Sequence, residues 1–207
     1  MTEMTLKEIA TELKKFDSAL IFSHARPDGD TLGSAMALKT ALINLGMEAD
    51  VVCASDIPEK YDIFPAFKTI KKPAEINKKY AAHVSVDISV ESMFGDSYNL
   101  YAKNANLFNI DHHVSNSRYA KYNFVRDNAA CCEIIYEFMQ CLGAEITSEI
   151  ADYLILGIIT DTGNFMHSNV TENTFFVASK LVAAGARIHD ITYRMFKDQT
   201  KVRALLF

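Results

Sequence analysis

The sequence predicts an α/β domain in which a mostly parallel, five-stranded sheet carries helices on both faces. Short runs of apolar, β-rich residues alternate along the chain with longer segments whose apolar residues recur at helical spacing. Prolines and glycines separate many of these segments. Such an alternation is typical of parallel sheets, because two parallel strands can be joined only by a long crossover connection.

The first elements can be delimited from their end signals. An opening helix is predicted where apolar residues recur every three or four positions from Leu6 to Leu13. The first strand leads into a loop that ends at Thr31, a favourable N-cap residue. A second helix is predicted to begin at the next residue and to extend to Leu45, with Gly46 as its stop.

The remaining elements follow from the same criteria. Residues 56–80 contain three prolines and are predicted to form the turns and short helical pieces of a crossover. The predicted strands comprise residues 19–23, 50–54, 83–87, 107–110 and 122–125. The later predicted helices comprise residues 130–142, 148–159, 171–184 and 188–196.

The length of 207 residues fits one large domain or two small ones. We assign residues 1–190 to one domain. Residues 191–207 are expected to begin a linker helix, because the last six positions have an apolar helical pattern without a stop signal. This pattern predicts a second domain that the chain does not include.

The composition predicts a globular protein of the cytoplasm. No apolar stretch is long enough to span a bilayer, and no secretion signal is recognisable, so we expect no membrane partner. The four cysteines lack metal-binding spacing and are expected to be reduced thiols. The formal charge of −5 argues against a protein that coats long nucleic acids by electrostatics alone.

Potential metal ligands follow four of the apolar runs. Ligands bind beyond the carboxyl ends of the strands in an open parallel sheet, so residues far apart in sequence can converge there. A buried group of carboxylates and imidazoles is costly unless a cation collects them. The candidates are His24, Asp28, Asp30, Asp87, Asp111, His112, His113 and Asp161.

The spacing of these residues predicts two metal positions. Asp28 and Asp30 point the same way from one loop, and Asp87 on a neighbouring strand can bridge two ions. His112 and Asp161 would complete the second position. Two adjacent divalent cations promote in-line attack of water at phosphorus. Oxygen and imidazole ligands without thiolates favour Mn²⁺, with Mg²⁺, Co²⁺, Fe²⁺ or Zn²⁺ as alternatives.

The presence of each candidate residue can also be explained by a structural role instead of metal binding. A strand-end aspartate alone is more often a helix cap or turn former, and a lone histidine pair is usually surface or core. Their joint occurrence at four element ends favours metal chemistry. Arg26 and Arg187 are weaker candidates for phosphate contacts. We expect structural or surface roles for His83, Cys131, Cys132, His167 and His189.

These residues resemble the RecJ-like DHH phosphoesterase superfamily, named after the Asp-His-His triplet found here at residues 111–113. The resemblance covers about residues 18–200, and it implies that residues 1–190 form the DHH catalytic domain. The first motif, at residues 23–34, is similar to that of the nanoRNase/pAp phosphatase branch. RecJ exonucleases themselves and the inorganic pyrophosphatases of the superfamily are less similar.

The resemblance implies two-metal activation of water, with Mn²⁺ preferred. The implied metal ligands are His24, Asp28 and Asp87 for one ion, and Asp30, Asp87, His112 and Asp161 for the other. It also implies that His113 faces the substrate phosphate as donor or general acid, with Asp111 behind it as the second catalytic residue. Gly33 and Ser34 would contact the substrate by letting the following helix N-terminus approach it.

The substrates implied by the resemblance are short oligoribonucleotides (nanoRNA) and 3′-phosphoadenosine 5′-phosphate (pAp). A cyclic- or linear-dinucleotide phosphodiesterase of the same superfamily shares the metal motifs and is an alternative. A nucleotide-binding module that is inactive without a partner domain is the non-enzymatic alternative, because the glycine-rich motif of the family's C-terminal DHHA1 domain is absent from this sequence. The oligomeric state stays open, with a homodimer as one option.

A different hydrolase class is suggested by one short motif. Residues 28–31, Asp-Gly-Asp-Thr, are similar to the nucleophile motif of haloacid dehalogenases. That class needs the first aspartate directly after the strand, whereas five residues, 23–27, separate the apolar run 19–22 from Asp28 here. The phosphoesterase hypothesis is therefore favoured.

Overall fold

The structure, a computed structural model, describes residues 2–197. Within these residues the strands are Thr2–Glu3 (β1), Ser18–Phe22 (β2), Glu48–Val52 (β3), Ala82–Val86 (β4), Leu107–Asp111 (β5) and Tyr122–Val125 (β6). They form one sheet in the order β1-β6-β5-β4-β2-β3. Every neighbouring pair is parallel.

The α/β class and the parallel sheet are confirmed, but the prediction of five strands is wrong by one. The additional strand, β1, pairs with β6: the N–H of Thr2 donates to the Lys121 carbonyl (3.0 Å) and that of Met4 to the Asn123 carbonyl (2.8 Å). Two polar residues show no apolar alternation. Their extended conformation therefore depends on the edge of β6, which the sequence alone does not reveal.

Seven α-helices and four 3-10 segments complete the described part of the chain. The crossover predicted for residues 56–80 contains three of the 3-10 segments, Glu59–Tyr61, Pro65–Thr69 and Pro73–Glu75; the fourth is Glu91–Ser97. The α-helices are Leu6–Leu13 (α1), Gly29–Asn44 (α2), Tyr98–Tyr101 (α3), Cys131–Leu142 (α4), Ser148–Asp161 (α5), Glu172–Ala183 (α6) and Ile188–Phe196 (α7).

The helices cover the two faces of the sheet unequally. Ile21 of β2 belongs to the main core, which includes α1, α2, α4 and α5. Its neighbour Phe22 points to the opposite face, as alternation along a strand requires. There it packs against Phe94 and Tyr101, with ring centroids 5.9 and 5.2 Å away. The second face is thus covered by α3 and the segment Glu91–Ser97.

The N-terminus of α2 differs from the prediction. The helix begins at Gly29, about one turn early, and its N-cap is Asp28 rather than Thr31. Oδ1 of Asp28 accepts hydrogen bonds from the N–H groups of Asp30 (3.0 Å) and Thr31 (3.1 Å). Thr31 is buried in the first turn, where its Oγ1 accepts from the N–H of His24 (3.2 Å). The carboxylate caps the helix because it reaches two free N–H groups at once.

The strand order creates a crevice at the carboxyl ends of β2 and β4. The chain passes from β2 to β3 on one side of β2 and then places β4 on the other side. Ligands of open α/β sheets bind at such a reversal of strand order. The loop that carries His24 and Asp28 leaves the sheet at this point, and so does Asp87.

The last described helix belongs to the domain core. Ile191 of α7 is buried among the residues of the main core. The linker helix predicted for residues 191–207 extends into residues 198–207, which lie outside the described part of the chain, so the domain limits stay a prediction. None of the described helices is long and apolar enough to cross a membrane.

Candidate metal centre

Three predicted ligands meet at the carboxyl ends of β2 and β4. Nε2 of His24 lies 3.4 Å from Oδ2 of Asp28 and 3.5 Å from Oδ2 of Asp87. Asp28 is positioned by capping α2, and Asp87 directly follows β4. One potential ligand atom from each residue lies within 4.8 Å of those of the other two. This spacing is suitable for a shared cation.

A second group of predicted ligands lies beside the first. Nε2 of His112 is 3.6 Å from Oδ2 of Asp161 and 3.9 Å from Oδ2 of Asp30. The same nitrogen is 3.3 Å from Oδ1 of Asp87. Asp87 therefore faces His24 with one carboxylate oxygen and His112 with the other. The structure brings all six predicted metal ligands together.

Asp87 has a left-handed backbone conformation, with φ of 57°. This region is uncommon for residues that carry a Cβ atom. The N–H of Asp87 donates to the carbonyl of Ile110 (3.0 Å), which holds the residue against β5 while the chain turns. Strained backbone persists only where the surroundings determine it, and it is concentrated at functional sites.

Two buried polar atoms of this centre have no hydrogen-bond partner. They are Oδ1 of Asp87 and Nε2 of His112, which lie 3.3 Å apart without the alignment that a hydrogen bond requires. Buried polar groups are almost always paired. An oxygen and an imidazole nitrogen with free lone pairs are ligands for a divalent cation. The residues present therefore fit a metal ion.

The ring of His112 is oriented from behind by Asn128. Its Nδ1 lies 2.9 Å from the Asn128 carbonyl oxygen. Donation from Nδ1 leaves Nε2 free as a ligand. The Asn128 side chain accepts from Nε of Arg126 (2.8 Å) and donates to Oε2 of Glu133 (2.7 Å). Asn128 and Glu133 were not predicted from the sequence, because a contact through a backbone carbonyl has no residue-type signal.

Asp30 is fully buried at the N-terminus of α4. Its two oxygens accept hydrogen bonds from the N–H groups of Cys131 (2.6 Å) and Cys132 (2.9 Å). The partial positive charge of a helix N-terminus stabilises a carboxylate in this position. A Cβ atom on Gly157 would lie 2.6 Å from Oδ1 of Asp30. The glycine thus allows α5 to approach α2 and to bring Asp161 into the centre.

The close approach of these groups shifts their pKa values. Burial alone would lower the pKa of His24, but the neighbouring carboxylates raise it to about 10. The pKa of His112 is also raised to about 10, because the effect of Asp87 and its neighbours exceeds that of burial. Burial and adjacent carboxylates raise the pKa of Asp30 and Asp161. A bound divalent cation would replace these protons.

His113 pairs most closely with Asp111, although its Nδ1 also lies 3.7 Å from Oδ1 of Asp87. Its Nδ1 lies 2.8 Å from Oδ1 of Asp111, whose Oδ2 accepts from the side-chain amide of Asn116 (2.7 Å). The hydrogen bond with Asp111 raises the pKa of His113. The His113 side chain is 39% exposed. The pair has the arrangement expected of a positioned proton donor.

An open cleft of about 630 Å³ adjoins the candidate ligands. One wall is formed by the loop after β2, and another by the segment Glu91–Ser97. Besides four of the ligands, the lining residues are Ala25, Arg26, Ser92, Met93 and His113.

Gly33 and Ser34 lie between helices rather than at this cleft. Ser34 is fully buried, with its Oγ 3.3 Å from Sγ of Cys132. A Cβ atom on Gly33 would lie 2.3 Å from the carbonyl oxygen of Tyr153. Both residues allow α2 to pack closely against α4 and α5. The substrate contact predicted for them therefore has no support from this geometry.

Other sequence candidates also have structural partners. Arg187 forms an ion pair with Asp152 (2.7 Å) and does not line the cleft. His83 is buried, and its Nδ1 lies 3.0 Å from a carbonyl oxygen of α3. Nδ1 of His167 lies 3.1 Å from the carbonyl oxygen of Asp161. This contact places His167 at the end of α5 without making it a ligand.

Comparison with known proteins decides the family. Residues 18–158 match the DHH family, N-terminal domain. The chain belongs to the DHH family. It is 32% identical over 193 residues to the bifunctional oligoribonuclease and PAP phosphatase NrnA of Thermus thermophilus, covering 92% of this chain and 57% of that protein. It is 28% identical over 182 residues to the protein of the same name from Bacillus subtilis, covering 84% and 56%.

The DHH chain thus spans less than two thirds of the length of these curated relatives. Among solved structures, an exopolyphosphatase-related protein from Bacteroides fragilis has a TM-score of 0.90 at 20% identity, covering 97% of this chain and 62% of that one. A putative family II inorganic pyrophosphatase from Methanococcus jannaschii has a TM-score of 0.65 at 21% identity, covering 85% and 61%. These likenesses show the fold, and the family match confirms the resemblance inferred from the sequence.

Proposed function

We propose that this chain is the catalytic domain of a metal-dependent phosphoesterase that hydrolyses short oligoribonucleotides and pAp. The proposal rests on the position of Asp87 between the two ligand groups. Its Oδ1 faces Nε2 of His112, and neither of these buried atoms has a hydrogen-bond partner. The names of the relatives, oligoribonuclease and PAP phosphatase, support this choice of substrates.

Two divalent cations fit the two ligand groups, and Mn²⁺ is the preferred ion. Carboxylate and imidazole ligands suit it. The thiols of Cys131 and Cys132, whose backbone N–H groups contact Asp30, are buried, and burial raises their pKa well above the usual range. They are therefore thiols rather than competing thiolates. Bound ions of this kind supply an activated water molecule and offset negative charge on the phosphoryl oxygens.

The protein's own contribution to catalysis is to orient ligands and to supply a proton. The Asn128 carbonyl keeps Nε2 of His112 directed at the centre. Asp111 orients His113 and raises its pKa, so that the ring retains a proton to higher pH. A protonated His113 on the cleft wall would donate to a phosphate oxygen or to the leaving oxygen.

Hydrolysis assays with Mn²⁺ test the proposal. Short oligoribonucleotides and pAp would be compared with linear and cyclic di-adenylate, using this chain and a longer one with the C-terminal part found in the relatives. Release of mononucleotides and of phosphate from pAp is the expected result. The Asp87→Asn variant serves as the inactive control. A protein that binds Mn²⁺ but hydrolyses no phosphodiester in either form would contradict the proposed activity.

A further inference from the structure

Arg26 is an unpaired cation on the wall of the cleft. It is exposed, and it lines the cleft together with His24, Asp28 and His113. It forms no hydrogen bond or ion pair with any residue in the described range 2–197. The other arginines in that range have partners: Arg118 pairs with Glu3, Arg126 with Glu137 and Arg187 with Asp152, and Arg194 is also partnered.

The backbone beside Arg26 is held in place although its side chain is free. The N–H of Ala25 donates to the carbonyl of Met93 (2.7 Å), which ties the loop to the opposite cleft wall. Pro27 follows Arg26 and restricts its backbone to extended conformations. A guanidinium on a fixed backbone loses only side-chain freedom when it binds a ligand.

The charge balance of the cleft indicates which anion Arg26 can bind. The four aspartates among the predicted ligands would balance two divalent cations, and those cations would hold the phosphate under attack. Among the described residues that line the cleft, Arg26 is the one lysine or arginine. A guanidinium matches the oxygens of a phosphate group through paired hydrogen bonds. A second phosphate is thus the anion that suits this position.

We propose that Arg26 binds a second, non-scissile phosphate group, so that the site prefers nucleotides with two phosphate groups over those with one. This inference rests on the proposed function and specifies its substrate class. The second phosphate belongs either to a nucleoside bisphosphate or to the 5′ end of a short oligonucleotide. Both sources present the same chemistry to the arginine.

The test compares Arg26→Gln and Arg26→Lys with wild type. Arg118→Gln is the matched control, because Arg118 is also exposed and does not line the cleft. Arg26→Gln should raise KM for pAp about tenfold to a hundredfold while changing kcat less, which is the range expected for a lost charged hydrogen bond. KM for adenosine 3′-monophosphate should not change. Arg26→Lys should restore part of the preference.

Comparing di-adenylate with and without a 5′-phosphate distinguishes the two sources of the second phosphate. The inference is supported if Arg26→Gln raises KM selectively for pAp or for the 5′-phosphorylated di-adenylate. An equal increase in KM for one-phosphate and two-phosphate ligands would overturn it, because Arg26 would then hold the scissile phosphate. It would also be overturned if Arg26→Gln preferred two-phosphate over one-phosphate ligands as strongly as wild type does.

Equilibrium dialysis of pAp and adenosine 3′-monophosphate against Mn²⁺-loaded His113→Ala protein, with and without Arg26→Gln, measures binding by Arg26 apart from turnover, because His113→Ala is expected to keep its Mn²⁺ and to lose most of its activity. Hydrolysis of bis(p-nitrophenyl) phosphate by wild type tests the proposed function separately, because this reporter has no second phosphate.

Discussion

Oδ1 of Asp87 and Nε2 of His112 lie 3.3 Å apart, and neither atom has a hydrogen-bond partner. The other carboxylate oxygen of Asp87 lies 3.5 Å from Nε2 of His24. A carboxylate that presents different oxygens to two imidazoles is placed to bridge two cations. Both predicted metal positions therefore depend on Asp87.

Replacing Asp87 should remove both ions. Asparagine is the suitable substitute, because it tolerates the left-handed backbone at this position better than alanine does. We expect Asp87→Asn to lose both Mn²⁺ ions and His24→Ala to lose chiefly one. Mass spectrometry after dialysis measures the number of Mn²⁺ ions that each variant retains. Asp62→Asn is the control, because Asp62 is exposed. Undiminished Mn²⁺ uptake by Asp87→Asn would show that the residue is not a bridge.

Binding and turnover should separate at His113. His113→Ala is expected to retain its Mn²⁺, because His112 is the ligand of the pair, and to lose turnover by about 10²–10⁴ through the missing proton donor. Steady-state hydrolysis of bis(p-nitrophenyl) phosphate with saturating Mn²⁺ provides the measurement. His189→Ala, an exposed change on α7, is the control. If His113→Ala keeps nearly full activity, the donor role is wrong.

The protein without metal should lose stability as the pH rises. The pKa of His24 and of His112 is raised from 6.5 to about 10 in the folded state. The stabilisation that they contribute is complete below about pH 6.5 and is lost as the pH rises through about 10. The raised pKa of Asp161 acts in the same direction, because folding disfavours its charged form.

Thermal unfolding in EDTA and in Mn²⁺ measures this dependence. The melting temperature in EDTA should fall between about pH 7 and about pH 10. The increase in melting temperature caused by Mn²⁺ should become larger over the same pH interval, since fewer protons compete with the metal for its ligands. A melting temperature in EDTA that rises over this interval would contradict the assignment of these charges.

Removing Glu133 should weaken chiefly the metal position that contains His112. Oε2 of the buried Glu133 accepts from the side-chain amides of Asn128 (2.7 Å) and Asn173 (2.9 Å). In Glu133→Ala, Asn128 loses this anchor and its carbonyl no longer orients the His112 ring. Support of this kind is typically worth about tenfold to a hundredfold in metal affinity.

Mn²⁺ titration calorimetry would compare Glu133→Ala with Asn173→Ala. The second variant removes the other partner of Glu133 and leaves Asn128 anchored, so it controls for lost packing. Asn173→Ala is expected to lower Mn²⁺ affinity less than Glu133→Ala does. An equal loss of Mn²⁺ affinity in the two variants would indicate that packing in general is lost, and not that Glu133 acts by orienting His112.

Much of the candidate site could be predicted because its signals are local. The apolar runs before Asp87 and His112 identify strands, and the carboxyl ends of parallel strands meet at one edge of a sheet. The fold class, and the end of the sheet at which these predicted ligands lie close together, could therefore be predicted from the chain alone. His24 and Asp161 were found in the same way, although one follows a strand and the other ends a helix.

Other features depend on partners that are distant in the chain, and they become visible only in the folded domain. β1 exists because β6 offers it an edge, and Asp28 rather than Thr31 caps α2 because its carboxylate reaches two free N–H groups. Ser34 lies in the core because α4 covers it. The orientation of His112 depends on the backbone carbonyl of Asn128, 16 positions further along the chain. Such contacts arise only when separate elements pack together, and no residue type or spacing encodes them locally.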